Sequence, residues 1–135
     1  MCDGILATYQ SGIHNEYQLP GGGVDQGEQP IAALHREVFE ETGWSITAPR
    51  VFGRFKRFAF MPDYDMWAEK ICTIYVAQPI RPLGPPTEDG HEAMILPYDV
   101  AIKSLAVSGD RAALTSFVAS GLKSSITALR SSSKT

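Results

Sequence analysis

Hydrophobic and polar positions vary along the chain in a way that predicts a mixed order of strands and helices. Residues 4–9 form a short apolar run between turn-forming residues, which predicts a strand. Residues 51–60 and 67–78 are rich in aromatic and β-branched residues and flank a turn-forming stretch, so they predict a β-hairpin. Residues 71–77 are apolar at nearly every position, which is typical of a strand covered on both faces. We therefore expect helices on both sides of a mixed β-sheet.

A helix is predicted in the first half of the chain, directly after a glycine-rich turn. Ile31, Leu34 and Val38 recur at helical spacing and define its expected buried stripe. Pro30 suits the first helical turn, and Gly43 is typical of a helix end. The polar side of this predicted helix is rich in glutamate.

The second half of the chain predicts a loop, two short helices and a tail. Residues 79–90 contain four prolines and two glycines, so they predict a loop. Residues 97–105 and 111–119 are predicted to be helical. Residues 121–135 are rich in serine and basic residues, and their apolar positions keep helical spacing, so we expect a short docked helix. We assign residues 1–120 to a single domain that this tail follows.

A glycine run before a carboxylate-rich helix is the strongest chemical signal in the chain. Residues 21–23 are glycines, which let the backbone approach a ligand closely. Glu37, Glu40 and Glu41 lie three and four residues apart, so they share one face of the predicted helix. Like charges at this spacing cost ~0.2–0.5 kcal/mol per pair on an exposed helix. A hard divalent cation such as Mg²⁺ reverses that cost, so the pattern predicts a metal site rather than an ordinary solvated face.

These residues belong to a longer pattern over residues 22–44. The pattern reads G-x5-E-x7-R-E-U-x-E-E-x-G-U, where U is a bulky apolar residue. It resembles the signature of the Nudix hydrolase family, also called MutT-like, and every fixed position is filled. The resemblance implies the α/β fold class: a Nudix-type α/β/α sandwich, with a mixed β-sheet between helices and the signature as a loop-helix-loop.

The resemblance also implies a metal site and its ligands. By resemblance, Glu40 and Glu41 are the principal metal ligands, and the carbonyl of Gly21 joins them. Glu37 is implied to be either a further ligand or the general base. The implied cofactor is Mg²⁺ or Mn²⁺, with one to three ions bound.

Further residues are implied to act beside these ligands. Arg36 is assigned to the catalytic group because it can orient carboxylates, and we expect it to reach Glu28. Glu28 and Gly22 are supporting residues, although Glu28 could instead favour the helix N-terminus. Many members of the family use an acidic residue beyond the signature, and Glu92 is our first choice for it, with Glu88 as the second.

The expected activity is hydrolysis of a diphosphate linkage in a nucleoside diphosphate derivative by metal-activated water. Nucleoside triphosphates and oxidised nucleotides are the first substrates to consider, with Arg54, Lys56 and Tyr17 as substrate-binding candidates. One alternative is a Nudix-fold module that binds a nucleotide or protein without catalysis, although such modules usually lack a signature carboxylate. Another is an isoprenoid diphosphate isomerase on the same fold, for which the two cysteines have no matching context.

Composition narrows the expected partners and location. The net charge of −3 argues against nucleic acid as a partner. No apolar run approaches the ~18 residues of a membrane span, so we expect no membrane partner. The first residues carry no secretory pattern and the two cysteines lie far apart, so we predict a cytoplasmic protein. The three histidines are scattered and predict no metal-ligand set.

One sheet position is left open by the resemblance. Nudix proteins generally have a strand before the one predicted at residues 4–9, and only three residues precede it here. A partner chain, the C-terminal tail or residues upstream of Met1 could fill that position. Because an exposed sheet edge invites pairing, we predict a homodimer.

Overall fold

Seven strands and three helices make up the part of the chain that the computed structural model describes, which is residues 4–12, 15–61, 65–121 and 125–134. The strands are β1 (Gly4–Gln10), β2 (Glu16–Gln18), β3 (Gly21–Gly22), β4 (Trp44–Met61), β5 (Met66–Pro82), β6 (His91–Pro97) and β7 (Ser125–Lys134). The helices are α1 (Pro30–Thr42), α2 (Tyr98–Ser104) and α3 (Ser108–Ala119). The predicted α/β class is confirmed.

The strands form two sheets. One sheet has the order β2-β1-β6, and both of its pairings are antiparallel. The other has the order β3-β7-β5-β4, in which β3 and β7 are parallel and the remaining neighbours are antiparallel. The short strand β3 therefore links the glycine bend to the larger sheet.

Helices cover both faces of these strands, as the continuous apolar run in β5 predicts. Successive residues of a strand point to opposite faces. Ile74 and Val76 pack in one core cluster with residues of α2 and α3, whereas Tyr75 and Ala77 pack in a second cluster with residues of α1. This two-sided burial is the layered arrangement expected from the sequence.

Helix α1 begins and ends where the sequence predicts. Leu34 and Val38 are fully buried, but Ile31 is 42% exposed, so the predicted stripe is wrong at its first position. Ile31 lies in the first turn of α1, and the buried face starts one turn later. Gly43 ends the helix with a φ of 74°, and its N–H donates to the Phe39 carbonyl.

The predicted hairpin is confirmed in β4 and β5, which pair from Trp44 and Pro82 to Met61 and Met66. Residues 62–64 of its turn lie outside the described residues. Strand β5 continues to Pro82 and so takes up the start of the stretch predicted as a loop at residues 79–90. No helix among the described residues combines the length and apolar character needed to cross a bilayer.

The tail departs most from the prediction. The expected helix is wrong, because residues 125–134 form β7. This strand lies between β3 and β5 and pairs with both, so sheet pairing on two edges outweighs the helical spacing of its apolar residues. Among the alternatives for the open sheet position, the structure shows the C-terminal tail joining the sheet. The homodimer, which was expected from an open sheet edge, stays a prediction.

Candidate active site

The glycine bend lies directly against the carboxylates of α1. The N–H of Gly21 donates a hydrogen bond of 3.2 Å to Oε1 of Glu41. A Cβ atom at Gly22 would lie 2.5 Å from Oε2 of Glu37, which is closer than a carbon and an oxygen can approach. Glycine at this position is therefore what allows the bend to pack on the glutamates.

Arg36 connects most of the charged groups on this side of α1. Its Nε and Nη2 atoms donate to the two oxygens of Glu28 at 2.8 and 2.9 Å, which is a bidentate pair. Its Nη1 atom donates to Oε1 of Glu37 at 2.9 Å and to Oε1 of Glu40 at 3.0 Å. Nη2 also donates to the carbonyl of Gly23. The predicted contact between Arg36 and Glu28 is confirmed, and the arginine ties the bend to the helix.

This network shifts the pKa values of its members in opposite directions. The hydrogen bonds from Arg36, and a further one from the Asp25 N–H, lower the pKa of Glu28 from 4.5 to about 2. Chiefly because of its hydrogen bond with Glu28, the pKa of Arg36 is raised. Burial raises the pKa of Glu37, and the charges of Glu40 and Glu88 raise it further against the opposing effect of Arg36.

A second set of side chains gathers around Glu41. Glu41, Glu88 and His91 each offer one ligand atom, and these atoms lie within 4.8 Å of one another. Glu88 comes from the loop between β5 and β6. That loop is held against α1, because the N–H groups of Thr87 and Glu88 both donate to the carbonyl of Glu40 at 2.9 Å. A carbonyl in the last helical turn has no partner within its helix, so it is available to position this loop.

A cleft of about 710 Å³ begins at the glycine bend. Gly21 lies in its wall, together with Gln18 and with Lys56, Arg57 and Phe58 of β4. Residues at the start of α3 form the opposite side. The glycine bend joins the cleft to the carboxylates, because Gly21 lines the cleft and its N–H donates to Glu41. Lys56 and Arg57 are the cationic residues of the lining.

Comparison with known proteins assigns the family. The NUDIX domain family matches residues 2–117. The chain belongs to this family. The match ends before β7, so the strand that completes the larger Nudix sheet here lies beyond the matched part.

Several bacterial proteins are similar to short parts of this Nudix chain. RNA pyrophosphohydrolase of Psychrobacter cryohalolentis is 53% identical over 46 residues, covering 29% of this chain and 27% of that protein. RNA pyrophosphohydrolase of Helicobacter pylori is 55% identical over 31 residues, covering 23% and 20%. That of Sulfurovum sp. is 45% identical over 39 residues, covering 29% and 25%. The chain thus matches about a quarter of the length of these relatives.

The structure separates the two acidic candidates outside the Nudix signature. Glu92 is exposed on β6, where it pairs in register with Tyr9, and it is not part of the group around Glu41. Its neighbour His91 points to the opposite face, as alternation along a strand requires. Glu88, the second choice, lies beside Glu41 instead. The prediction that favoured Glu92 followed the family's usual position and could not include the way the loop folds back on α1.

The substrate-binding candidates are not all brought together. Lys56 lines the cleft that starts at Gly21. Arg54 lines a different, more apolar cavity between β4 and α3. Tyr17 is half-buried, stacks edge-to-face on Tyr9 at 4.9 Å, and does not line the cleft. Arg57 and Phe58, which do line it, were not among the sequence candidates.

The donor chemistry of this Nudix site fits a divalent metal. Carboxylate oxygens are the ligands that Mg²⁺ prefers, and an imidazole nitrogen adds affinity for transition metals. Arg36 occupies Oε1 of both Glu37 and Glu40, and no hydrogen bond to their Oε2 atoms occurs within the described ranges. The Oε2 atoms of Glu37 and Glu40 are therefore donors available for a cation.

Proposed function

We propose that the chain is a divalent-metal-dependent pyrophosphohydrolase that cleaves a diphosphate linkage in a nucleoside diphosphate derivative. The observation that carries this proposal is the contact between the glycine bend and Glu37 and Glu41, since the same bend contributes Gly21 to a cleft whose lining includes Lys56 and Arg57. A carboxylate cluster next to such a cleft suits phosphoryl transfer, which depends on charge neutralisation and alignment more than on covalent catalysis.

Mg²⁺ or Mn²⁺ would be held by Glu40 and Glu41 and the carbonyl of Gly21, with Glu37 as either a further ligand or the general base. A bound divalent cation polarises phosphate oxygens and lowers the pKa of water. Arg36 holds Glu37 and Glu40 in position through Nη1, so it is a positioning residue rather than a group that touches substrate.

Proton transfer requires a carboxylate with a suitable pKa. Glu37 is the first candidate for general base, because burial raises its pKa and so brings it closer to neutral pH. Glu88 is the second, because it is half-exposed and its carboxylate lies within 4.8 Å of a ligand oxygen of Glu41. The two candidates predict different effects of substitution, and Glu92 is expected to have less effect than either.

The cleft supports a substrate with a phosphate chain and a planar base. Lys56 and Arg57 belong to the cleft lining and are the residues proposed to neutralise phosphate oxygens, and the ring of Phe58, which is 61% exposed, is proposed to stack on a base. Nucleoside triphosphates and oxidised nucleotides remain the first substrates proposed.

The relatives add a second substrate class. Their name states that they are pyrophosphohydrolases of RNA. An RNA whose 5′ end carries a triphosphate offers the same diphosphate linkage as a free nucleotide. The net charge of −3 argues against long contacts with an RNA backbone, so free nucleotides are preferred and RNA is tested beside them.

The test is phosphate or pyrophosphate release from a panel of nucleoside triphosphates, oxidised nucleotides and 5′-triphosphorylated RNA, with and without Mg²⁺ or Mn²⁺. Glu41→Gln should reduce kcat by ~10²–10³-fold, the usual effect of removing one preorganised charged group. Asp99→Asn, an exposed carboxylate in the first turn of α2, is the control with the same charge change and should retain activity. Saturable nucleotide binding without turnover would replace the proposal with a non-catalytic module.

Location and assembly belong to the same proposal. We propose that the protein acts in the cytoplasm without a membrane partner, because nucleotides are soluble substrates there. A homodimer is retained as a prediction, and light scattering that gives the mass of a monomer would remove it.

A further inference from the structure

His91 is buried at the edge of the carboxylate cluster, and the Nudix signature does not include it. Its side chain is only 3% exposed. Nδ1 lies 2.9 Å from Oγ1 of Thr8, and Nε2 lies 3.6 Å from Oε2 of Glu88. The imidazole is thus held between a buried hydroxyl on one side and carboxylates on the other.

The hydrogen bonds of Thr8 determine which nitrogen of His91 carries a proton. Thr8 is fully buried, and its hydroxyl donates its single proton to the backbone carbonyl of Glu41 at 3.2 Å. A carbonyl can only accept, so Oγ1 of Thr8 has only lone pairs left for His91. Both contacts of Thr8 are hydrogen bonds only when Nδ1 of His91 carries a proton, and in that neutral tautomer the lone pair is on Nε2.

That lone pair is directed toward negative charge. Nε2 faces Glu88, and the ligand atoms of Glu41, Glu88 and His91 are within 4.8 Å of one another. A nitrogen lone pair and carboxylate oxygens repel one another unless a proton or a metal cation lies between them. Hydrogen bonding through Nδ1 to a fixed acceptor is also the usual way in which a metal-binding histidine is oriented.

We propose that Nε2 of His91, with carboxylate oxygens of Glu41 and Glu88, forms a nitrogen-containing metal position that favours Mn²⁺ over Mg²⁺. This metal position shares Glu41 with the metal site proposed for the signature glutamates. Only its role in hydrolysis rests on the proposed function. Donor atoms around an ion with ~2.1 Å bonds lie ~3.0 Å apart when adjacent and ~4.2 Å apart when opposite. The three ligand atoms lie within 4.8 Å of one another, which is close to these separations, and Glu88 is the half-exposed side chain that can adjust.

The preference for Mn²⁺ follows from the nitrogen. Mg²⁺ is a hard ion that takes oxygen ligands and keeps several waters, whereas imidazole suits transition metals. A site made only of Glu37, Glu40 and Glu41 would have no such preference. His91 therefore distinguishes this chain's metal chemistry from that of its signature alone.

Pulsed electron paramagnetic resonance of Mn²⁺ bound to protein labelled with ¹⁵N-histidine tests the coordination directly. The expected result is a ¹⁵N hyperfine coupling that is lost in His91→Gln. The chain has three histidines, so the double variant His14→Gln/His35→Gln leaves His91 alone and should keep the coupling. This double variant decides the assignment even if His91→Gln does not fold. Absence of the coupling in the wild-type protein, or its persistence in folded His91→Gln, would overturn the proposal.

Affinity gives an independent measurement. Mn²⁺ should bind His91→Gln ~10–100-fold more weakly, whereas Mg²⁺ affinity, measured by competition, should change little. Thr8→Val removes the hydrogen-bond acceptor for Nδ1 but keeps His91, and it should also weaken the binding of Mn²⁺. Equal losses of affinity for Mn²⁺ and for Mg²⁺ would contradict the proposed preference for Mn²⁺. Nitrogen coupling without hydrolysis would count against the proposed function alone, and hydrolysis without nitrogen coupling would count against this inference alone.

Discussion

Single residues position the carboxylates of the candidate site with little tolerance. Glu37 lies against a glycine that has no room for a side chain, and Arg36 contacts three glutamates and one backbone carbonyl. The contacts to Glu37 and Glu40 constrain carboxylates that are proposed to bind a metal or accept a proton. Small substitutions here should alter activity more than they alter the fold.

Gly22→Ala is expected to reduce activity strongly because the new methyl group would lie 2.5 Å from Oε2 of Glu37. A misplacement of about 1 Å in a catalytic group can lower the rate ~10²-fold. Gly53→Ala is the matched control, since a Cβ at that position meets nothing within 4 Å. Comparison of kcat for the two variants checks this. Similar activity in both would show that Glu37 can move without consequence.

The pair between Glu28 and Arg36 predicts a pH dependence of stability. The pKa of Glu28 is lower in the folded protein than its usual 4.5, so ionised Glu28 stabilises the fold above pH 4.5. That contribution is lost as the pH falls from 4.5 to about 2. The urea midpoint of Glu28→Gln should therefore fall less steeply over this range than that of the wild type. Asp99→Asn serves as the control, and parallel curves for Glu28→Gln and wild type would contradict the assignment.

At the scale of elements, each of the two faces of α1 has its own function. Its buried face packs against the strands, and its polar face carries the carboxylates. The buried face includes Ala33, Leu34 and Val38, each with no exposed surface. The geometry of the site therefore depends on how firmly this helix is packed.

Leu34→Ala should destabilise the protein by ~2–5 kcal/mol, because it leaves a cavity beneath α1. Ile31→Ala on the same helix should cost much less, since Ile31 is 42% exposed. Thermal or urea unfolding of the two variants provides the measurement. A loss at Ile31 as large as that at Leu34 would mean that the buried stripe begins in the first turn after all.

At the scale of the whole molecule, the C-terminal strand connects the site to the larger sheet. β7 pairs with β3, where Gly21 and Gly22 lie opposite Ala128 and Leu129, and with β5 along ten residue pairs. The glycine bend is thus supported by residues more than a hundred positions away in the sequence. Loss of β7 would leave both of its neighbours with unpaired edges.

Ala128→Pro is expected to destabilise the fold and lower activity, because a proline in a central strand removes a ladder hydrogen bond beside Gly21. Ser125→Pro, at the first residue of β7, is the control because proline is tolerated there. Unfolding midpoints and light scattering measure the two effects, including any self-association through the freed edges. Equal stability in both variants would show that β7 contributes little to the sheet.

The sequence by itself determined the features that depend on local spacing. Residues three and four apart on a helix share a face, and glycine permits a close approach of backbone, so the bend, helix α1 and the glutamates could be predicted. The contact between Arg36 and Glu28 also follows from one short segment. The alternating and continuous apolar runs likewise predicted the hairpin and the two-sided covering of β5.

Only the tertiary structure decided which distant groups meet. Thr8, Glu41, Glu88 and His91 come from four elements or loops, and the way β1, α1 and the loop before β6 fold together brings them into one cluster. The tertiary structure also decided the conformation of β7. The spacing of its apolar residues predicted a helix, but it forms a strand that pairs with β3 and β5. Long-range pairing depends on register and on available edges, which local periodicity does not encode.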